Sequence, residues 1–84
     1  MIIFVATISH RHGFNVYAAT THDSALGLVA DYCREWWPDI DAKGSPPADD
    51  NEAVNRYFDN TANEEYFDIT ETELHGLPEP VATA

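Results

Sequence analysis

The segment Ile2-Ile3-Phe4-Val5-Ala6-Thr7-Ile8-Ser9 constrains the fold more than any other stretch of this chain. Read with the two-residue period of a strand, Ile2, Phe4, Ala6 and Ile8 share one face, and Ile3, Val5, Thr7 and Ser9 share the other. The first half is apolar on both faces and rich in β-branched and aromatic residues. A strand of that kind belongs in the middle of a sheet. The chain must therefore supply partners for both of its edges. His10-Arg11-His12-Gly13 interrupts the pattern, and Gly13 suits a short hairpin connection because glycine tolerates positive φ. Phe14 to Ala19 reads as the second strand, with Phe14, Val16 and Ala18 on one side and Asn15, Tyr17 and Ala19 on the other.

The period then changes to 3.6. Thr20-Thr21-His22-Asp23 is a helix start, with a threonine hydroxyl to accept from a free amide and an acidic residue placed as in a capping box. Leu26, Val29, Ala30, Cys33 and Trp37 share a stripe at 100° per residue, flanked by Ala25, Tyr32 and Trp36. The spacing predicts a helix to about Trp37, stopped by Pro38. A loop over 38–48 follows. A second helix begins near Asp49, with an acidic first turn and the apolar stripe Ala53, Val54, Tyr57 and Phe58. Residues 60–63 are turn-like. Glu65 to Thr72 reads as a third strand with Phe67 and Ile69 inward, although Thr70 to Leu74 also fits a helical turn. The expectation is a two-layer α+β domain over residues 1–75. It has a three-stranded, mainly antiparallel sheet with two helices on one face, in the chain order ββααβ and the sheet order 2-1-3. Residues 76–84, with Pro78 and Pro80, are expected to form a flexible C-terminal tail.

Charge constrains the partners. Fifteen acidic residues face four basic ones, giving a formal charge of −11 over 84 residues. The 44% hydrophobic content is too high for a disordered acidic tail, so a packed core is expected despite the charge. Residues 1–22 hold no carboxylate. Residues 49–79 hold ten, and Arg56 is the lone cation among them. Arg11, Arg34, Lys43 and Arg56 form no basic run, which argues against direct binding of nucleic acid or of an anionic membrane. No apolar stretch approaches the ~20 residues of a membrane span. The N-terminus lacks the charged region and cleavage site of a signal peptide. A single cysteine, Cys33, forms no intrachain disulfide, and a cytoplasmic setting is expected.

Candidate chemistry is sparse. No Ser–His–Asp signature, phosphate-cradling glycine loop or HExxH motif is present, so no catalytic residue is assigned and an enzyme is not expected. His10 and His12 point the same way in an extended chain. A metal site would need a third ligand from His22, His75, Cys33 or a carboxylate, none at a recognised spacing, so neither metal nor cofactor is expected. Cys33, on the apolar stripe, reads as a small buried hydrophobe. The partner-binding candidates are the carboxylates Asp49, Asp50, Glu52, Asp59, Glu64, Glu65, Asp68, Glu71 and Glu73, with Tyr66 or Trp36 as aromatic anchors. Held on one surface, these carboxylates would imitate a phosphate backbone and draw in a basic protein. The alternative is a small cytoplasmic regulatory or housekeeping domain whose acidity serves solubility alone. An edge strand also leaves room for a homodimer through strand pairing.

The stretch from His10-Arg11-His12-Gly13 to Arg34-Glu35-Trp36-Trp37, about a third of the chain, resembles small uncharacterised acidic proteins of bacteria, phages and plasmids. By size and charge the chain is also similar to phage-encoded inhibitors of bacterial defence systems, anti-CRISPR proteins among them, though no motif is shared. That likeness implies a protein that binds a basic nucleic-acid-handling effector and blocks its nucleic-acid site. It carries no functional residue over to this chain.

Overall fold

A computed structural model describes residues 1–40, 44–61 and 64–76. The expected tail, apart from Gly76, and Lys43 in the long loop lie outside the described residues. The elements run β1 (Ile2–His10), β2 (Gly13–Ala19), α1 (His22–Glu35), a 3-10 turn (Trp37–Ile40), α2 (Asp50–Asn60) and β3 (Tyr66–Glu73). All three strands are antiparallel, in the order β2-β1-β3, with β1 central. Both hydrogen-bonding edges of β1 are thus paired.

The hairpin fixes which side of β2 is buried. His10 pairs with Gly13, so two residues make the turn, and Gly13 adopts a φ of 129°, a region open to glycine. That parity sets even residues of β1 opposite odd residues of β2: Ala6 faces Tyr17 and Ile8 faces Asn15. In β3 the same face carries Ile69 opposite Ala6 and Phe67 opposite Ile8. Phe14 and Val16 therefore point away from the helices, 70% and 64% exposed. Residues 70–73, which also fitted a helical turn, complete β3 because Thr70 and Thr72 pair with Val5 and Ile3.

Thr21 caps α1 with extended backbone angles, its hydroxyl accepting from the Ser24 amide at 3.1 Å. The third helical position is Ser24, so the acidic partner expected of a capping box is replaced by a hydroxyl contact, Thr21 to Ser24, at 3.0 Å. Asp23 sits in the first turn, where the helix dipole favours it. The helix ends two residues short of Trp37. Proline at 38 disfavours α geometry in Trp37, and the chain tightens into the 3-10 turn. Asp49 caps α2, its carboxylate accepting from the Glu52 amide at 2.9 Å.

The core lies between α1 and the inner sheet face. Ala25, Val29, Ala30 and Cys33 of α1 and Ala6 and Ile8 of β1 are all fully buried. Ala6, Ala25 and Ala30 let helix and strand approach closely, so larger residues there would cost about 1–3 kcal/mol by overpacking. Helix α2 packs chiefly on α1 through Ala53, Val54 and Tyr57, and meets the sheet through Phe58 and Phe67, whose ring centroids are 4.8 Å apart. Trp37, 3% exposed, closes the core, and the Arg56 guanidinium lies 5.9 Å from its ring centre. Its indole Nε1–H has no acceptor among the described residues.

Candidate functional site

Chain direction brings five segments to one end of the molecule. Strand β1 runs toward the hairpin, α1 and α2 end there, and β3 starts there. Between them lies a cleft of about 230 Å³. One wall is the hairpin, with His10, Arg11, His12 and Asn15. The floor is aromatic, with Tyr32 and Trp36 from the end of α1 and Tyr57 from α2. The remaining rim carries Asp39, Glu64 and Glu65.

Glu65 organises the interior of this end. Its Oε1 accepts from the Tyr32 hydroxyl at 2.8 Å and from the Tyr57 hydroxyl at 2.9 Å. The two rings meet edge to face at 5.7 Å. Tyr57 is 1% exposed, and a hydroxyl at that depth needs an acceptor. Burial first, then the bond to Glu65, pushes the Tyr32 hydroxyl up to about 12 and holds Tyr57 well above the usual tyrosine range. Both stay protonated donors at neutral pH. The second carboxylate oxygen, Oε2, has no hydrogen bond among the described residues.

The hairpin wall is equally ordered. His10 stacks on Tyr32 at 6.1 Å. Its Nε2 bonds Asn15 Oδ1 at 3.2 Å, and its Nδ1 accepts the His12 backbone amide at 3.2 Å. That pair of bonds fits the neutral Nε2–H tautomer. Asn15 in turn donates to the Tyr17 hydroxyl at 3.2 Å. At the rim, Arg11 lies 3.8 Å from Glu64, with both side chains well exposed.

Of the carboxylates singled out from sequence, this cleft gathers Glu64 and Glu65, together with Trp36, which is 45% exposed. The others are spread. Asp49, Asp50 and Glu52 occupy the start of α2, and Asp59 its last turn. Asp50 is half-buried and meets Arg34 at 2.7 Å. Arg34 also bonds the Ala48 carbonyl, tying the chain before α2 to α1. Asp68 and Tyr66 lie on the sheet side away from the helices, where Asp68 accepts from the Thr70 hydroxyl. Glu71 and Glu73 lie on the opposite side of the same strand, facing Phe4 and Ile2. The sequence places Tyr32 and Tyr57 at the apolar stripes of their helices, with Tyr57 also a candidate aromatic contact beside the acids, and gives neither hydroxyl a partner. The signal that marks them is a polar hydroxyl on an apolar helix stripe, which requires a buried acceptor somewhere in the chain.

The two-histidine idea finds no third ligand: among the described residues no group of three metal-ligating side chains assembles. His22 packs edge-on against Phe4, which faces the last residue of β2, at the far end of the sheet. Cys33 is fully buried, and burial pushes its thiol up to about 12. No helix among the described residues is long and apolar enough to cross a membrane. Compared with protein families, with curated proteins and with solved structures, the chain matches none.

Proposed function

We propose that this chain is a non-enzymatic acidic module that docks on a basic, nucleic-acid-handling protein and keeps nucleic acid from its site. The observation that carries the reading is the state of the carboxylates. Asp49, Glu52, Asp59, Glu64, Asp68, Glu71 and Glu73 are all exposed. The three described arginines are each engaged, with Glu64, with Asp31 and Asp50, and with Glu52. Asp59, Asp68, Glu71 and Glu73 therefore have no cation within 4 Å among the described residues. Strand β3 is an edge strand, so Asp68, Glu71 and Glu73 flank open backbone. Unpaired charge on a rigid edge steers a basic partner in, and its pull weakens with salt.

The test is retention of bacterial lysate proteins on the immobilised chain at about 0.05 M and 0.5 M salt, followed by challenge with duplex DNA. A basic protein held at low salt, released at high salt and competed by DNA supports the reading. The triple change Asp68→Lys, Glu71→Lys, Glu73→Lys should abolish retention. Binding indifferent to both salt and this triple change would refute it.

A second reading has its own observation. The sheet face away from the helices carries Ile3, Val5, Phe14, Val16 and Tyr66 with Asp68 as its one charge. A regulatory domain with incidental acidity would bind through that face, and Phe14→Ser with Val16→Ser would remove its binding where charge reversal does not.

A further inference from the structure

We infer that the cleft between the hairpin and the helix ends receives one arginine side chain of the basic partner, with the guanidinium lying on the aromatic floor against Glu65. The inference rests on the acidic-module reading and deepens it. Five observations converge on this ligand. The volume of about 230 Å³ is below that of drug-sized ligand pockets, which begin at about 300 Å³, so it suits one side chain better than a cofactor. The floor offers the Trp36 ring, 45% exposed, beside a Tyr32 that is 8% exposed and already stacked by His10. A planar cation stacks on such a ring.

The carboxylate is set in advance. Tyr32 and Tyr57, from two different helices, fix Glu65 through Oε1 and leave Oε2 as an acceptor. Both helices also end at the cleft: Trp36 and Thr61 are the C-cap residues of α1 and α2, and each lines it. Helix C-termini carry partial negative charge and favour cations. Finally, an arginine of the chain itself already rests at the rim. Arg11 meets Glu64 at 3.8 Å, a loose and exposed contact that an incoming guanidinium would displace. An anionic ligand would meet Asp39, Glu64 and Glu65 against Arg11 alone.

The experiment uses N-acetyl-arginine amide as the probe and its uncharged isostere N-acetyl-citrulline amide as control. The readouts are the Trp36 indole and the His12 and Glu64 amide signals in two-dimensional NMR. Saturable shifts with half-saturation near ~10 mM are expected, with citrulline at least about five-fold weaker, since the charge supplies the difference. Trp36→Ala and Glu65→Gln should each weaken the probe by about five-fold or more. Trp36→Ala changes a half-exposed side chain and keeps the test valid if Glu65→Gln unfolds. Arg11→Gln should strengthen binding by about two- to five-fold, because it removes an internal competitor of like charge.

Equal binding of citrulline, weaker binding in Arg11→Gln, or no saturable shift would overturn the inference. The two proposals fail separately. Loss of the arginine shifts with salt-sensitive retention of a basic protein intact sinks the cleft and leaves the module. Arginine shifts without any retained basic protein sink the module and leave the cleft as a guanidinium site.

Discussion

Replacing Tyr57 by Phe isolates one hydrogen bond at the centre of this architecture. The ring keeps its place, 1% exposed and edge-on to both Tyr32 and Phe58, so the change removes an oxygen and opens little space. What is lost is a 2.9 Å bond to a carboxylate. Bonds to charged acceptors contribute about 1.5–3 kcal/mol net. Glu65 is half-buried and retains the 2.8 Å bond from Tyr32, so the loss should fall near the lower end, about 1.5 kcal/mol. Against a total of about 4–13 kcal/mol for a chain of 84 residues, that is a sizeable fraction. It corresponds to a drop in Tm of roughly 6–12 °C. Urea unfolding should show a lower midpoint with an unchanged slope, since the buried area hardly changes. Tyr32→Phe should cost a similar amount. The double variant should cost more than the sum, because it leaves Oε1 with neither donor. A loss below about 0.5 kcal/mol in Tyr57→Phe, or simple additivity in the double variant, would refute the view that Glu65 anchors the two helices.

Three further outcomes follow from the same geometry. Alkaline pH should destabilise the fold. Burial raises Cys33 from 9.0 to about 12 and Tyr32 from 10.0 to about 12, and Tyr57 moves the same way. The folded state thus holds these protons more tightly than the unfolded chain. Their contribution is full below pH 9 and drains as pH rises through the folded values, at about 1.4 kcal/mol per pH unit for each proton. Unfolding free energies that stay flat to pH 11 would contradict this. Gly27→Ala should stabilise α1 by about 0.5–1 kcal/mol, because the new methyl would meet Asp50 Oδ2 at an ordinary 3.5 Å and the helix interior loses its glycine penalty; a fall in Tm would contradict the contact geometry. Cys33, buried and held as a thiol, should react with iodoacetamide only as fast as the chain unfolds; fast labelling under native conditions would show that α1 opens locally.

Much of the scaffold is legible before any coordinates, because local periodicity and burial agree. Strand β1 announces its central place by being apolar on both faces, and the stripe from Leu26 to Cys33 announces which side of α1 is buried. The inward face of β2 is legible only through the turn. Composition favours Phe14 and Val16 as core residues, yet a two-residue connection from His10 to Gly13 forces Asn15 and Tyr17 inward. The cleft was not legible. Tyr32 and Glu65 are 33 residues apart, and the bond between them depends on how α1 and the start of β3 converge. Nothing local distinguishes Glu65 from its neighbour Glu64, although one is tied inside and the other is open. Arg34 falls on the side of α1 opposite the apolar stripe, where no sequence pattern shows that Asp50 and the carbonyls before α2 would reach it.

The distribution of charge narrows what a partner can touch. A standard interface takes about 800 Å² from each side, roughly one-seventh of this chain's 5672 Å² surface. Asp68 lies on the open side of β3, whereas Glu71 and Glu73 lie on the side of the helices. Asp49 and Glu52 begin α2, and Asp59 is near its end. One flat contact cannot take in all of them. The strip that joins most is the β3 edge together with the hairpin end, because Tyr66 pairs with Ser9 one residue from His10, and Glu64 and Glu65 are the two residues before β3. A partner laid along that strip would meet Asp68, Glu71 and Glu73 on the edge and reach the cleft at Glu65. The carboxylates at the start of α2 would remain outside the contact. Reversing Glu52 to lysine and changing Asp49 to Asn, which keeps the α2 cap, should therefore slow association at low salt while leaving the dissociation rate unchanged. The reversal on β3 should raise the dissociation rate as well. Equal effects of the two sets of substitutions on dissociation, measured by surface plasmon resonance against the retained basic protein, would place the contact elsewhere.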